Sequence, residues 1–181
     1  MSASAMNVAS KSTRPGATEH VAYYGKYTAL VPDGSIVETL RTQAAETAAL
    51  LASVPAAKEE FRYAEGKWSV KEVVGHMADG ERVFAYRALR FSRGDETPLA
   101  SFDENTYVPA GAFGARTLKS LAEEFSAIRE STVRLLDGLD EQAMARSGEA
   151  AENRITVRAL AWIIAGHERH HVAILRDRYG L

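Results

Sequence analysis

From Leu118 to Leu139 the apolar side chains fall three and four residues apart: Leu118, Leu121, Phe125, Ile128, Thr132, Leu135 and Leu139. This is close to a heptad seam, and only a helix gathers such positions on one face, because a strand would send them to both sides of a sheet. Gly138 marks its end. The same spacing returns three more times. Ile36, Leu40, Ala44, Thr47, Leu51 and Val54 follow a capping box of Ser35 and Glu38 and stop at Pro55. Ser69 and Glu72 open a second helix, which runs to about Ser92 before Arg93-Gly94-Asp95. A last helix begins after Thr156 and continues to about Tyr179, and a short helical turn is expected at Glu141–Ala145. No segment alternates convincingly as a strand, and no repeat is present. Four amphipathic helices of roughly twenty residues predict an all-α four-helix bundle.

The connection over residues 93–117, between the second and third long helices, is longer than bundle loops usually are. It carries Phe102, Asp103, Glu104, Asn105, Tyr107 and Phe113, a content that suits a crossover folded over the bundle, with Phe102 and Tyr107 walling a pocket between the second and fourth helices. Residues 1–18, rich in Ser, Ala and Thr, are expected to form a flexible segment ahead of a single domain over 19–181, with Tyr23, Tyr24 and Tyr27 draped on the bundle. A formal charge of −2 gives no electrostatic reason to expect nucleic acid or an anionic membrane as a partner. No apolar run suits a signal peptide or a membrane span, so a cytoplasmic protein with a small-molecule substrate is expected. With no cysteine, any thiol chemistry needs a thiol from outside the chain.

Three of the five histidines lie in His167-Glu168-Arg169-His170-His171. On a helix, His167 and His171 are one turn apart and about 40° around the axis, so both imidazoles can address one point. Leu160, Ile163, Ile164 and Ile174 lie within roughly 60° of His167, which places the pair in the buried stripe. Buried imidazoles need partners, and a transition metal is the simplest one. The string also reads H-E-x-x-H, the zinc-protease pattern with Glu168 as base. That reading lacks a third ligand, because the ten residues after His171 hold neither His nor Glu and Asp177 shares the same helix. His76, on a core-leaning face of the second helix beside Gly80, is the best candidate from elsewhere, although a lone helical histidine is commonly just packed in the core. Three imidazoles suit zinc, nickel or iron better than magnesium or calcium, and leave a coordination position open. His170, about 100° from His171, reads as a helix-interface residue and His20 as surface. Asp79 reads as a ligand-supporting acceptor or a solvated charge, and Glu72 as the cap partner. Arg82, Arg87, Arg90 and Arg129 read chiefly as helix-surface charges, with an anion-binding residue as the other reading.

Lys67-Trp68-Ser69-Val70-Lys71-Glu72-Val73-Val74-Gly75-His76-Met77-Ala78-Asp79 resembles the W-S-x-x-E-x-x-x-H-x-x-D opening of the second helix in the DinB-like superfamily. Gly166-His167-Glu168-Arg169-His170-His171 resembles that family's G-H-x-x-H-H segment. The likeness continues through Phe84–Arg90, Phe102-Asp103 and Arg178-Tyr179. The resemblance implies an up-up-down-down bundle with a long crossover, often a homodimer. It also implies a divalent metal, commonly nickel or zinc, on His76, His167 and His171. Its activities include thiol S-transferases using low-molecular-weight thiols such as bacillithiol, mycothiol-dependent isomerases and metal-dependent hydrolases; some relatives have no known activity. A thiol-activating transferase is therefore the leading expectation, with a hydrolase or a non-catalytic metal-binding stress-response protein as alternatives.

Overall fold

The computed structural model describes residues 13–181. Its long helices are α1 (Ile36–Ala52), α2 (Val70–Ser92), α4 (Leu118–Asp137) and α6 (Val157–Tyr179), with two short ones, α3 (Glu104–Ala110) in the crossover and α5 (Glu141–Ala145) before the last connection. Each long helix starts where a side chain can satisfy a free amide. Ser35, Ser69, Thr117 and Thr156 accept from the backbone N–H three residues on, and Glu72 returns the bond to the Ser69 amide to complete a capping box. Such caps are worth about 1 kcal/mol each. No helix among the described residues is long and apolar enough to cross a membrane.

Two apolar clusters fix the helix directions. One holds Ile36, Val37 and Leu40 from the start of α1, Phe84, Ala88 and Phe91 from the end of α2, Val133 and Leu136 from the end of α4, and the first half of α6. The other joins Leu51 from the end of α1, Val70 to Ala78 of α2, Leu118 to Phe125 of α4, and Leu175 and Tyr179 at the end of α6. α1 and α6 thus run one way and α2 and α4 the other, so the order is up-down-down-up and not up-up-down-down. The physical reason lies in the connections. Residues 53–69 stay at one end of the bundle, whereas the crossover must return along its whole length to start a parallel neighbour. α1 and α2 each pack against α4 and α6.

The connection before α6 contains a feature absent from the helical pattern. β1 (Ser147–Ala150) and β2 (Asn153–Thr156) form an antiparallel hairpin. Its two turn residues, Ala151 and Glu152, take positive φ of 53° and 61°. Asn-Gly or Asp-Gly usually fills such a turn, so the hairpin carries no local sequence signal. The segment expected to be loose, residues 1–18, lies outside the described residues as far as 12, and beyond that it is fastened. Arg14 donates to the carbonyls of Thr28 and Val31 at 2.7 Å each and stacks 4.6 Å from the Trp162 ring. The helical turn Gly25–Thr28 lies directly on α6, since a Cβ at Gly166 would meet the Tyr27 carbonyl oxygen at 2.1 Å.

A charged layer crosses the middle of the bundle. Arg129 of α4 bonds Glu81 of α2 at 2.7 and 2.8 Å and Glu168 of α6 at 2.6 Å. Gln43 and Thr47 of α1 both donate to Glu168 at 2.5 Å. The three charged side chains are 1–3% exposed, so Arg129 is a core residue and not a surface charge. Breaking such a buried set by removing one partner usually costs about 3–5 kcal/mol. Arg129→Met should therefore lower Tm by roughly 10 °C for a chain of this size, whereas Arg134→Met, on the exposed face of the same helix, should change it little. Thermal melts of the two variants read the contrast; equal shifts would show that the layer does not hold the bundle.

Candidate metal centre

α2 delivers His76 two turns in from its cap, and α6, running antiparallel to it, delivers His167 and His171 from one face. The three Nε2 atoms form a triangle with edges of 3.0, 3.1 and 3.1 Å. All three side chains are buried. Each Nε2 has one proton or one lone pair to offer, so hydrogen bonds among the three cannot satisfy the triangle. A single cation satisfies all of them. With metal–nitrogen bonds of about 2.0–2.1 Å, neighbouring nitrogens lie roughly 3.0–3.4 Å apart, and the observed edges fit. No cysteine or carboxylate joins these three nitrogens among the described residues.

Burial pushes the His76 imidazole down to about 4. Burial, followed by the neighbouring imidazoles, holds His167 and His171 well below the ordinary histidine range. All three are therefore neutral near pH 7, the form that ligates metals. The surroundings are aromatic: Trp68 lies 4.7 Å from the His76 ring, and Tyr27 and Phe84 lie 5.5 and 5.8 Å from His167. Gly80 gives the space expected of it, because a Cβ there would come within 2.9 Å of His167 Cε1.

Two cavities reach the cluster on either side of the start of α3. The first, about 190 Å³, is lined by His76 and His167 with Tyr27, Phe84, Arg87, Phe102 and Glu104 among its walls. The second, about 260 Å³, is lined by His171, Trp68 and Asn105, among others. The crossover thus walls the site through Phe102, Glu104 and Asn105. Tyr107 does not line either cavity; it is 45% exposed and packs behind Phe102.

The remaining candidates separate cleanly. His170 stays out of the triangle, its ring 5.0 Å from His171 and 5.4 Å from Tyr27. His20 bonds the Val21 carbonyl. Asp79 has Arg82 as its charged neighbour, and burial raises its pKa. Glu168 turns away from the triangle into the charged layer, where Arg129, Gln43 and Thr47 occupy its oxygens, so it is not placed to act as a protease base. Sequence reasoning gave Arg87 an anion-binding alternative and put Glu104 in the crossover, but assigned neither of them, nor Trp68, Tyr23, Tyr24 or Tyr27, to the cavities at the histidines. Arg87 alone had a readable signal: eleven residues after His76, it returns to within about 20° of the same helix face.

A family model for the DinB superfamily matches residues 39–175. A curated relative from Oceanobacillus iheyensis, named "Putative metal-dependent hydrolase OB0413", is 22% identical over 127 residues. That match covers 63% of this chain and 66% of the relative, just under two thirds of its length. Among solved structures, YfiT from Bacillus subtilis, described as a probable metal-dependent hydrolase with an unusual four-helix bundle topology, superposes with a TM-score of 0.67 at 19% identity. It covers 93% of this chain and 94% of its own. A mycothiol-dependent maleylpyruvate isomerase superposes with a TM-score of 0.58 at 17% identity, over 76% of this chain and 58% of its own. At these identities the structural likeness concerns the fold. The chain belongs to the DinB superfamily.

Two outcomes follow. Gly80→Ala should leave helix stability unchanged or higher, since Ala is the better helix former, yet weaken divalent-metal binding by displacing His167; titration calorimetry with Zn²⁺ reads the loss, and unaltered affinity would contradict the packing argument. The pH dependence has a definite sign. Histidines whose folded pKa is depressed bind fewer protons than in the unfolded chain, so metal-free stability is fully present above about pH 6.5 and is lost as pH falls toward 4. His76 alone accounts for on the order of 3 kcal/mol of this loss. Denaturant midpoints at pH 7.5 and 5 should differ in that direction, and less so in His76→Ala.

Proposed function

We propose that His76, His167 and His171 together hold one divalent transition ion, zinc or nickel, and that the chain is a metal-dependent enzyme whose nucleophile is a small thiol supplied by a cosubstrate. The observation that carries this reading is the convergence of three neutral imidazole nitrogens, with no cysteine or carboxylate joining them among the described residues, beside cavities large enough for an exogenous group. When bound, such an ion acts as a Lewis acid and lowers the pKa of a thiol or water that shares its coordination.

The protein residues supply orientation. Trp68 and Phe84 brace the rings of His76 and His167, and Tyr27 closes the far side of His167. Tyr27, Phe84 and Phe102 wall the first cavity beside the polar groups of Arg87 and Glu104. A thiol, with a free pKa of about 8.5, needs less help to ionise than water does. That favours a thiol here, because Glu168 is committed to Arg129 and the chain has no cysteine of its own. The second reading is a hydrolase. It is favoured by the names of two relatives and by the one carboxylate that lines the first cavity, Glu104.

The test is a paired assay on protein loaded with zinc or with nickel. Low-molecular-weight bacterial thiols are offered with a chromogenic electrophile, beside a panel of esters and amides. Thiol-dependent conjugation is expected, together with about one metal per chain by elemental analysis. His76→Ala, His167→Ala and His171→Ala should each lose most of the metal and turnover, and His20→Ala neither. Ester or amide hydrolysis without thiol turnover would replace the first reading by the second, and full metal content in His76→Ala would remove the ligand assignment. Glu168→Gln keeps an acceptor oxygen for Arg129 and Gln43 and can donate to the Thr47 hydroxyl, so α6 stays oriented; assayed below its melting temperature, the variant should keep its metal and most of its activity.

A further inference from the structure

Arg87 is 4% exposed, yet no carboxylate lies within ion-pair distance of it among the described residues. The other deeply buried cations are paired: Arg129 with Glu81 and Glu168, and Lys71 with Glu60. The Arg87 guanidinium has five N–H donors, and one bond is present, Nη2 to the Ala100 carbonyl at 2.9 Å. Its carbon sits 5.9 Å from the Phe102 ring, which holds it against the crossover. It lines the same cavity as His76 and His167. A buried cation left without its counter-charge is costly, and the cost is recovered when a ligand brings that charge.

Resting on the metal-site reading above, we infer that Arg87 is the anchor for a carboxylate group of the substrate or cosubstrate, held at the opposite end of the first cavity from the histidines. His76 and Arg87 share a face of α2 and are separated by roughly 16 Å along the axis, less the reach of the two side chains. A small, elongated acid therefore places its carboxylate on the guanidinium and its reacting group at the imidazole triangle. The cavity, about 190 Å³, suits a molecule of that size, and Phe84 lies between the two ends, 5.8 Å from His167 and 6.4 Å from Phe102. A monoanion is favoured over a phosphate. Glu104 lines the same cavity without pairing with Arg87, so a second negative charge on the ligand adds repulsion that the single guanidinium does not offset. The planar fork of arginine matches a carboxylate through two parallel bonds, which a lysine cannot reproduce.

The test uses short straight-chain monocarboxylates of three to six carbons, their primary amides as neutral counterparts, and inorganic phosphate, each titrated calorimetrically into the whole protein with and without Zn²⁺. At least one acid should bind at least tenfold more tightly than its amide, and phosphate should bind more weakly than that acid. Arg87→Met should abolish the preference for acid over amide in both the metal-free and the zinc-loaded protein while leaving metal content unchanged. Arg87→Lys, which keeps the charge, should retain part of the preference and guards against a misfolded Met variant. Equal binding of acid and amide, no binding by any acid, or a preference that survives in Arg87→Met would overturn the inference, and tighter binding of phosphate would overturn the choice of a carboxylate. A preference that depends on Arg87 in a protein that takes up no metal would leave this inference standing and remove the metal-site reading instead.

Discussion

Arg129 lies between Glu81 and Glu168 in an interior that excludes water, and the rotation of α6 about its axis depends on that contact. Glu168 has nowhere else to go. Its oxygens are taken by Arg129, Gln43 and Thr47, which come from α4 and α1. Each residue turns a helix by about 100°. With Glu168 held toward α1 and α4, His167 one residue earlier and His171 three residues later are turned toward α2, where His76 meets them. A buried ion pair adds little net stability, because desolvation offsets much of the attraction. Its value here is orientation, since an apolar layer would tolerate a helix turned by several degrees, whereas a fork of fixed hydrogen bonds does not.

Close packing completes what the charged layer sets. Gly80 lets the His167 ring approach α2, and Gly166 lets the turn carrying Tyr27 lie on α6. The crossover then covers the remaining side, with Phe102 and Glu104 over one cavity and Asn105 over the other. The site is therefore built from α2, α6, the Gly25–Thr28 turn and the crossover, and the length of the crossover follows from the parallel course of α2 and α4.

Much of this was legible because helices advertise themselves by period. The bounds of the four long helices follow from capping residues, and the inward pair His167 and His171 follows from one-turn spacing within an apolar stripe. The direction of the helices was not legible, because periodicity shows which face is buried and not which neighbour buries it. The fate of Glu168 was hidden for a related reason. A helical wheel assumes one solvated face, but α6 is buried on all sides from Ala159 to Glu168, so a charge opposite the stripe still lies inside. The hairpin at 147–156 escaped because Ala151 and Glu152 are not turn formers. Arg87 shares a helix face with His76, but that no carboxylate among the described residues pairs with it is a fact of three dimensions.

The central claim is that one metal ion is held by three imidazoles and by no other protein side chain. X-ray absorption spectroscopy of the protein loaded with one equivalent of Zn²⁺ or Ni²⁺ tests it most directly. The account predicts outer-shell scattering from three imidazoles, with the remaining ligands being light atoms that a small thiol replaces with sulfur. A shell with one imidazole or none, or one unchanged in His76→Ala, would contradict it.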